Sequence, residues 1–382
     1  MTPRERVLAT LRNEQADRVP YDITHCSNGL GGFNREAARL FRERTGSENP
    51  DEYFGVERDV AWVDVGPTRL ELAERYLAFH RLSEDLTYVP GEPAQPPPRA
   101  GTFSLLEWGT ALVAGSDASY DRFVPPARIA ENASLEDIEQ YPLPDFDAEY
   151  RYAHLNEEVV SIRRRDLASV AFMAMTIFET AWQIRGMGPL MTDMLAGEDS
   201  AACLLDRITE LSRFRAQRYA AAGVDVIHIG DDVGMQDRML MSPATWREWL
   251  KPRLAHIIAS AREVKPDVLF FYHSDGFIEP IIPELAEIGI NALNPVQPEC
   301  MDPARLKQQY EDRLAFWGTV GIQNTLPFGT PEDVAAEVKR RIETVGKGGG
   351  LYLAPTHVIA PEVPYENLFA LVEAAKKHGR YD

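Results

Sequence analysis

Cysteine is scarce in this chain of 382 residues: only Cys26, Cys203 and Cys300 occur. Three thiols do not make a disulfide framework, and they fit a reducing compartment. Long apolar runs are missing as well, since none approaches the ~20 residues needed to span a bilayer. Positive charge is in deficit, with 40 Lys and Arg against 59 Asp and Glu and a formal net charge of −19. That balance argues against nucleic acid, anionic membrane surfaces and highly anionic substrates as partners. No glycine-rich dinucleotide fingerprint links a predicted strand to a helix; Gly346 to Gly350 precedes a strand instead. Neither CxxC nor HExxH is present. The opening residues, Met1 to Arg6, lead into an amphipathic helix without an apolar signal region, so the expected location is the cytoplasm.

What is there is ordinary for a globular enzyme: 45% hydrophobic and 26% charged residues. The clearest stretch is Asp267 to Gly276. Val268 to Tyr272 are apolar without alternation, as in a strand covered on both faces. His273 and Asp275 follow at a spacing of two, which puts both on one side of extended chain. The same pattern of helix then strand repeats from Tyr150 onward. Strands are predicted at Ala168–Met173, Val224–Ile229, Val268–Tyr272, Ala292–Asn294, Leu314–Trp317 and Leu351–Ala354, with a first strand at Arg18–Ile23. Helices are predicted between them, among them Thr180–Leu195 and Pro243–Glu263. Ser242-Pro243, Asp302-Pro303 and Thr330-Pro331 each place a capping side chain before proline at a helix start. Residues 51–145 are irregular, with strand-like pieces at Val60–Val65 and Ser104–Ala114, and read as an insertion into a single domain spanning 1–382. One strand from this region would bring seven to eight and close a (β/α)8 barrel with an N-terminal elaboration. An open doubly wound sheet is the alternative.

In a barrel, the residues just after each strand share one face. In order they are His25 and Cys26; Thr176 and Glu179; Asp231, Asp232 and Gln236; His273 and Asp275; Asn294, Gln297 and Cys300; Gln323; and His357. The set is rich in metal ligands and acid–base groups. Zinc suits it, because zinc takes imidazole, thiolate and carboxylate and keeps one position open in catalytic sites. His273, Cys300 and His357 lie on three strand ends and are the expected ligands; Cys300 can equally be an inert loop thiol. Glu179 can be a general acid, a metal ligand or a carboxylate stabilised by its helix. Asp231 and Asp232 can share a proton, bind a hydroxyl or cation, or cap the next segment.

These stretches resemble the uroporphyrinogen decarboxylase superfamily. The likeness rests on Arg4 to Arg12, Ile229 to Asp232, Met241 to Pro243, Tyr272 to Gly276, Leu293 to Gln297, Phe316 to Gly318 and Gly348 to Asn367. It implies a (β/α)8 barrel with the pocket at the carboxyl ends of the strands. It also implies one of two activities: cofactor-free removal of carboxylates from a tetrapyrrole, or zinc-dependent methyl transfer with a corrinoid (cobalamin) carried by a partner protein. The decarboxylase branch has an arginine-rich N-terminal loop; here Asp22 to Gly29 contains no arginine, and Thr180 stands where that branch has a tyrosine. The thiol-activating methyltransferases use His-x-Cys and a later cysteine, where this chain has His273-Ser-Asp275 and His357. The resemblance thus implies a zinc-dependent methyltransferase that moves a methyl group between a methoxylated or methylated small molecule and a corrinoid-binding protein. In that reading Glu179, Asp232 and Asp275 are catalytic, and His25, Thr176, Asp231, Gln236, Asn294, Gln297 and Gln323 contact substrate. His273, Cys300 and His357 hold the metal, and a homodimer is a family expectation. A metal-independent decarboxylase or a non-catalytic binding barrel are the alternatives.

Overall fold

The computed structural model describes residues 1–23, 32–67, 69, 72, 74–81, 86–90, 101–113, 122–310 and 313–381. Seven parallel strands form one sheet: β1 (Val60–Val63), β6 (Ala168–Ala174), β7 (Val226–Gly230), β8 (Leu269–His273), β9 (Ala292–Asn294), β10 (Ala315–Val320) and β11 (Leu351–Pro355). They neighbour one another in that order. The fold class is the (β/α)8 barrel. The strand needed from the irregular region is Val60–Val63, which pairs in parallel with Ala168–Ala171.

The eighth position is held by residues 18–22. Tyr21 bridges Leu353 of β11, flanked by the Asp22 amide on the Leu353 carbonyl at 2.9 Å and the Leu353 amide on the Pro20 carbonyl at 2.9 Å, and Arg18 bridges Arg380 outside the barrel sheet. The predicted strand Arg18–Ile23 is therefore reduced to isolated bridges, one of them to the barrel sheet, and Pro20 contributes no N–H to a ladder. On the far side of this segment, Arg18 reaches Asp59 at the foot of β1 at 3.1 Å. The remaining strands, β2 (Thr87–Tyr88), β3 (Thr102–Leu105), β4 (Ala111–Val113) and β5 (Arg122–Val124), make a separate four-stranded sheet. Within the strand-like piece Ser104–Ala114, the described residues to Val113 fold back as the β3–β4 antiparallel pair, and Ala114 lies outside the described residues.

Two of the expected helices are each broken in two. Gly186, at φ 85°, separates Phe178–Arg185 from Met187–Ala196. Pro252, in the first turn of its helix, separates Pro243–Trp249 from Lys251–Val264. The capping expectation holds at Ser242 and Thr330, whose side chains accept the Thr245 and Asp333 amides. Among the described residues no helix is long and apolar enough to cross a membrane.

Apolar burial falls into two layers. The outer one packs helices on the barrel, and the inner one fills the barrel with Val60, Ala168, Val170, Val226, Leu269, Phe271, Trp317 and Tyr352. Phe271, Trp317 and Tyr352 stack face to face, with centroids 4.8 and 3.8 Å apart. The first helix, Pro3–Leu11, sends Val7 and Leu11 into this inner layer and so closes the base of the barrel. Residues near the two ends of the chain meet there too: the Val19 amide donates to the Gly379 carbonyl at 2.8 Å, and the Tyr381 amide to Asp17 at 3.3 Å.

Candidate metal centre at the carboxyl ends of the strands

The strand register builds the centre. Gly230, His273 and Asn294 are paired across β7, β8 and β9, so the interior face at this level carries no side chain, an imidazole and an amide in turn. Asp232 lies two residues beyond Gly230, and Asp275 two beyond His273. The loops that carry them are pressed together at Gly276, which sits at φ 80°. A Cβ there would lie 2.6 Å from the Met235 carbonyl, so only glycine fits. The Asp275 amide donates to Asp232 at 2.8 Å, the Val233 amide to Ser274 at 3.1 Å and the Gly276 amide to Gln297 at 2.6 Å.

Asp232, His273 and Asp275 each turn one donor atom into a common space, all within 4.8 Å of one another. His273 Nε2 is 3.6 Å from Asp232 and 4.0 Å from Asp275. Asp275 Oδ1 is buried without a hydrogen-bond partner, and its Oδ2 lies 3.4 Å from His357. No lysine or arginine pairs with either carboxylate among the described residues. Burial pushes the Asp275 carboxyl up, opposed by His273 and reinforced by Asp232. Burial, and then Asp232 and Asp231, push Glu179 well above the usual carboxylate range, with His273 pulling the other way. Glu179 accepts the Asp232 amide at 3.2 Å, so this raised carboxyl abuts the cluster.

The adjacent acids Asp231 and Asp232 divide. Asp231 is fully buried and accepts the Ile177 and Glu179 amides at 3.0 and 2.9 Å, capping the helix that follows β6. Burial pushes it up to about 7 despite those bonds. Asp232 keeps 41% of its side chain exposed and faces the cluster. Thr176 is also fully buried: its hydroxyl donates to the Met173 carbonyl and accepts the Gly230 amide, which ties β6 to β7.

The remaining sequence candidates lie at varying distances from the centre. His357 is one step out, through Asp275. Cys300 stands apart from the converging group: its thiol is 3.7 Å from Gln297, and burial pushes it up to about 11. The structure therefore brings together Asp232, His273 and Asp275, whereas the sequence pointed to His273, Cys300 and His357. The missed signal was the register, because Gly230 pairs with His273 and so carries Asp232 to the level of Asp275. Asn294 is buried beside His273. Gln297 supports the Gly276 turn. Gln236 donates to the Glu299 carbonyl at 3.2 Å, and the Gln323 amide to Glu299 at 3.2 Å, both on the exposed rim. His25 and Cys26 lie outside the described residues.

A family model described as uroporphyrinogen decarboxylase (URO-D) matches residues 110–378. The Methylcobamide:CoM methyltransferase MtaA of Methanosarcina barkeri is 35% identical over 174 residues, covering 46% of this chain and 48% of that protein. The uroporphyrinogen decarboxylase of Coxiella burnetii (strain RSA 493 / Nine Mile phase I) is 25% identical over 178 residues, 45% of this chain and 46% of its own. The chain spans about half the length of these curated relatives. Among solved structures, a methyltransferase from Methanosarcina mazei superposes over 99% of both chains at a TM-score of 0.65 and 22% identity, which is a likeness of fold.

Proposed function

The chain belongs to the uroporphyrinogen decarboxylase family, and from that premise we propose that it moves a methyl group within a corrinoid system, using a divalent metal, zinc, held by Asp232, His273 and Asp275. The observation that carries the reading is the convergence of three acceptor side chains within 4.8 Å, with an orphaned carboxylate oxygen on Asp275 and no neutralising lysine or arginine among the described residues. Oxygen and nitrogen donors of this kind fit a divalent cation. When bound, zinc would polarise the heteroatom that carries or receives the methyl group.

The chain's own groups supply the rest. Asp232 and Asp275 fix the position of that heteroatom. Glu179, whose carboxyl burial and the neighbouring Asp232 and Asp231 push well above the usual range, is placed to deliver a proton to the departing atom when the methyl group leaves. His357, 41% exposed and 3.4 Å from Asp275, orients that carboxylate at the open rim. Among the described residues the converging group offers oxygen and nitrogen donors, which suits an oxygen-bearing methyl donor better than a thiol acceptor. The partners in this reading are a methoxylated or methylated small molecule and a corrinoid-binding protein docking at the barrel mouth.

Elemental analysis of untagged protein tests the metal, and transfer of a methyl group to or from free cobalamin tests the reaction. About one zinc per chain, lost in His273→Ala and Asp275→Asn, is the expected result. Wild-type protein that takes up no zinc would overturn the metal reading and leave a metal-independent decarboxylase in front.

A further inference from the structure

We propose that Asn294 is a positioning residue that holds His273 in the tautomer with its proton on Nδ1, so that Nε2 faces Asp232 and Asp275 as a lone pair. This deepens the metal reading above, but the tautomer itself follows from the hydrogen bonds alone.

The β8–β9 register places Asn294 directly beside His273 on the interior face, and the backbone of Trp317 comes next in the row. Asn294 is 1% exposed and His273 is 8% exposed, so water does not choose the amide's orientation. Asn294 Nδ2 lies 2.9 Å from the Trp317 carbonyl. A carbonyl only accepts, so the amide nitrogen has to be on that side. Reversing the amide would bury two acceptor oxygens against each other and leave both unpaired, a costly arrangement.

With the nitrogen so committed, Oδ1 faces His273 Nδ1 at 2.5 Å. Oδ1 can only accept, so Nδ1 carries the hydrogen. A neutral imidazole has one ring proton, and Nε2 is left as an acceptor. It points at Asp232 Oδ1, 3.6 Å away, and Asp275 Oδ1, 4.0 Å away. Three electron-rich atoms then face one another, an arrangement that a cation stabilises. The ring plane is further fixed by His228, whose ring meets that of His273 edge-on at 5.9 Å. Asn294 thus acts through His273, not on substrate. A hydrogen-bond partner on the non-ligating nitrogen is the general means by which proteins orient a metal-binding histidine.

The test uses metal-free protein labelled with 15N-histidine, two-bond 1H–15N correlation spectra, and zinc affinity from chelator competition. Wild type is expected to show His273 protonated at Nδ1. Asn294→Leu, which removes the acceptor, is expected to shift the proton to Nε2 and weaken zinc binding by about 10–100-fold. Asn294→Asp keeps an acceptor for Nδ1 while losing the donor to Trp317. It is expected to retain the wild-type tautomer and to bind zinc within a few-fold of wild type. A wild-type ring protonated at Nε2 would overturn the proposal. So would an Asn294→Leu protein with unchanged tautomer and affinity, or destabilisation of both variants without any change in the spectra. Should Asn294→Leu fail to fold, the wild-type and Asn294→Asp spectra still decide. Absence of zinc binding by wild type would sink the metal reading alone, because the tautomer is read without metal.

Discussion

At the base of the barrel, the buried Asp225 and Asp59 and the more exposed Asp17 each meet a guanidinium. Asp225 takes Arg4 at 2.7 Å, Asp59 takes Arg6 at 2.5 Å and Arg18 at 3.1 Å, and Asp17 takes Arg6 at 2.7 Å. At the mouth, Asp232, Asp275 and Glu179 crowd around His273, and none of them has such a partner among the described residues. The same residue type therefore does opposite things at the two ends. The base uses carboxylates to pin the N-terminal helix across the barrel floor. The mouth sets Asp232 and Asp275 close together beside a Glu179 whose carboxyl is raised, an arrangement that costs stability and, in the reading proposed above, would be relieved by a cation.

Breaking the base gives the largest expected effect. Arg6→Leu leaves the buried Asp59 with Arg18 alone and removes the guanidinium from Asp17, and should cost about 3 kcal/mol in urea unfolding. Next comes relief of the mouth by metal. Zinc at about a hundred times its dissociation constant should raise the unfolding free energy by about 2.7 kcal/mol, and Asp275→Asn should abolish most of that gain in the same melts. Smaller, and opposite in sign to the base mutation, Asp232→Asn without metal should stabilise the protein by about 0.5–1 kcal/mol while weakening zinc binding. A loss of stability in that variant would erase the contrast between the two ends.

Acid sharpens the comparison further. Arg6 holds the half-exposed Asp17 down to about 2 from its ordinary 3.8. Its contribution is therefore complete above about pH 4 and disappears as pH falls through 2. The stability difference between wild type and Asp17→Asn should shrink over that window, and a constant difference would mean that the ion pair is not its source. The smallest effect belongs to Cys300. Its thiol, pushed up to about 11, should react slowly with iodoacetamide at neutral pH, and Cys300→Ala should leave zinc affinity unchanged.

Much of the fold was legible because buried parallel strands are continuous apolar runs. Ala292–Asn294 matched to the residue, and Val268–Tyr272 and Leu351–Ala354 to within one. The pair His273 and Asp275 was legible from its spacing. The division between Asp231 and Asp232 was not, because neighbours in sequence differ only in which one finds the three free amides of the helix after β6. Cys300 and His357 looked like ligands because they follow strands, but the course of a loop is set by contacts such as Gln297 on Gly276, which no periodicity reports. The mixed sheet β2–β5 has strands of two to four residues, too short for alternation to show.

The meeting of residues 17–19 with residues 379–381 at the base has a consequence for how the molecule is made. The segment that occupies the eighth barrel position is synthesised well before its partners, Leu353 and the stretch at 379–381. The seam beside β11 can close only after they have been synthesised, so β11 waits as an unpaired edge until the early segment returns to it.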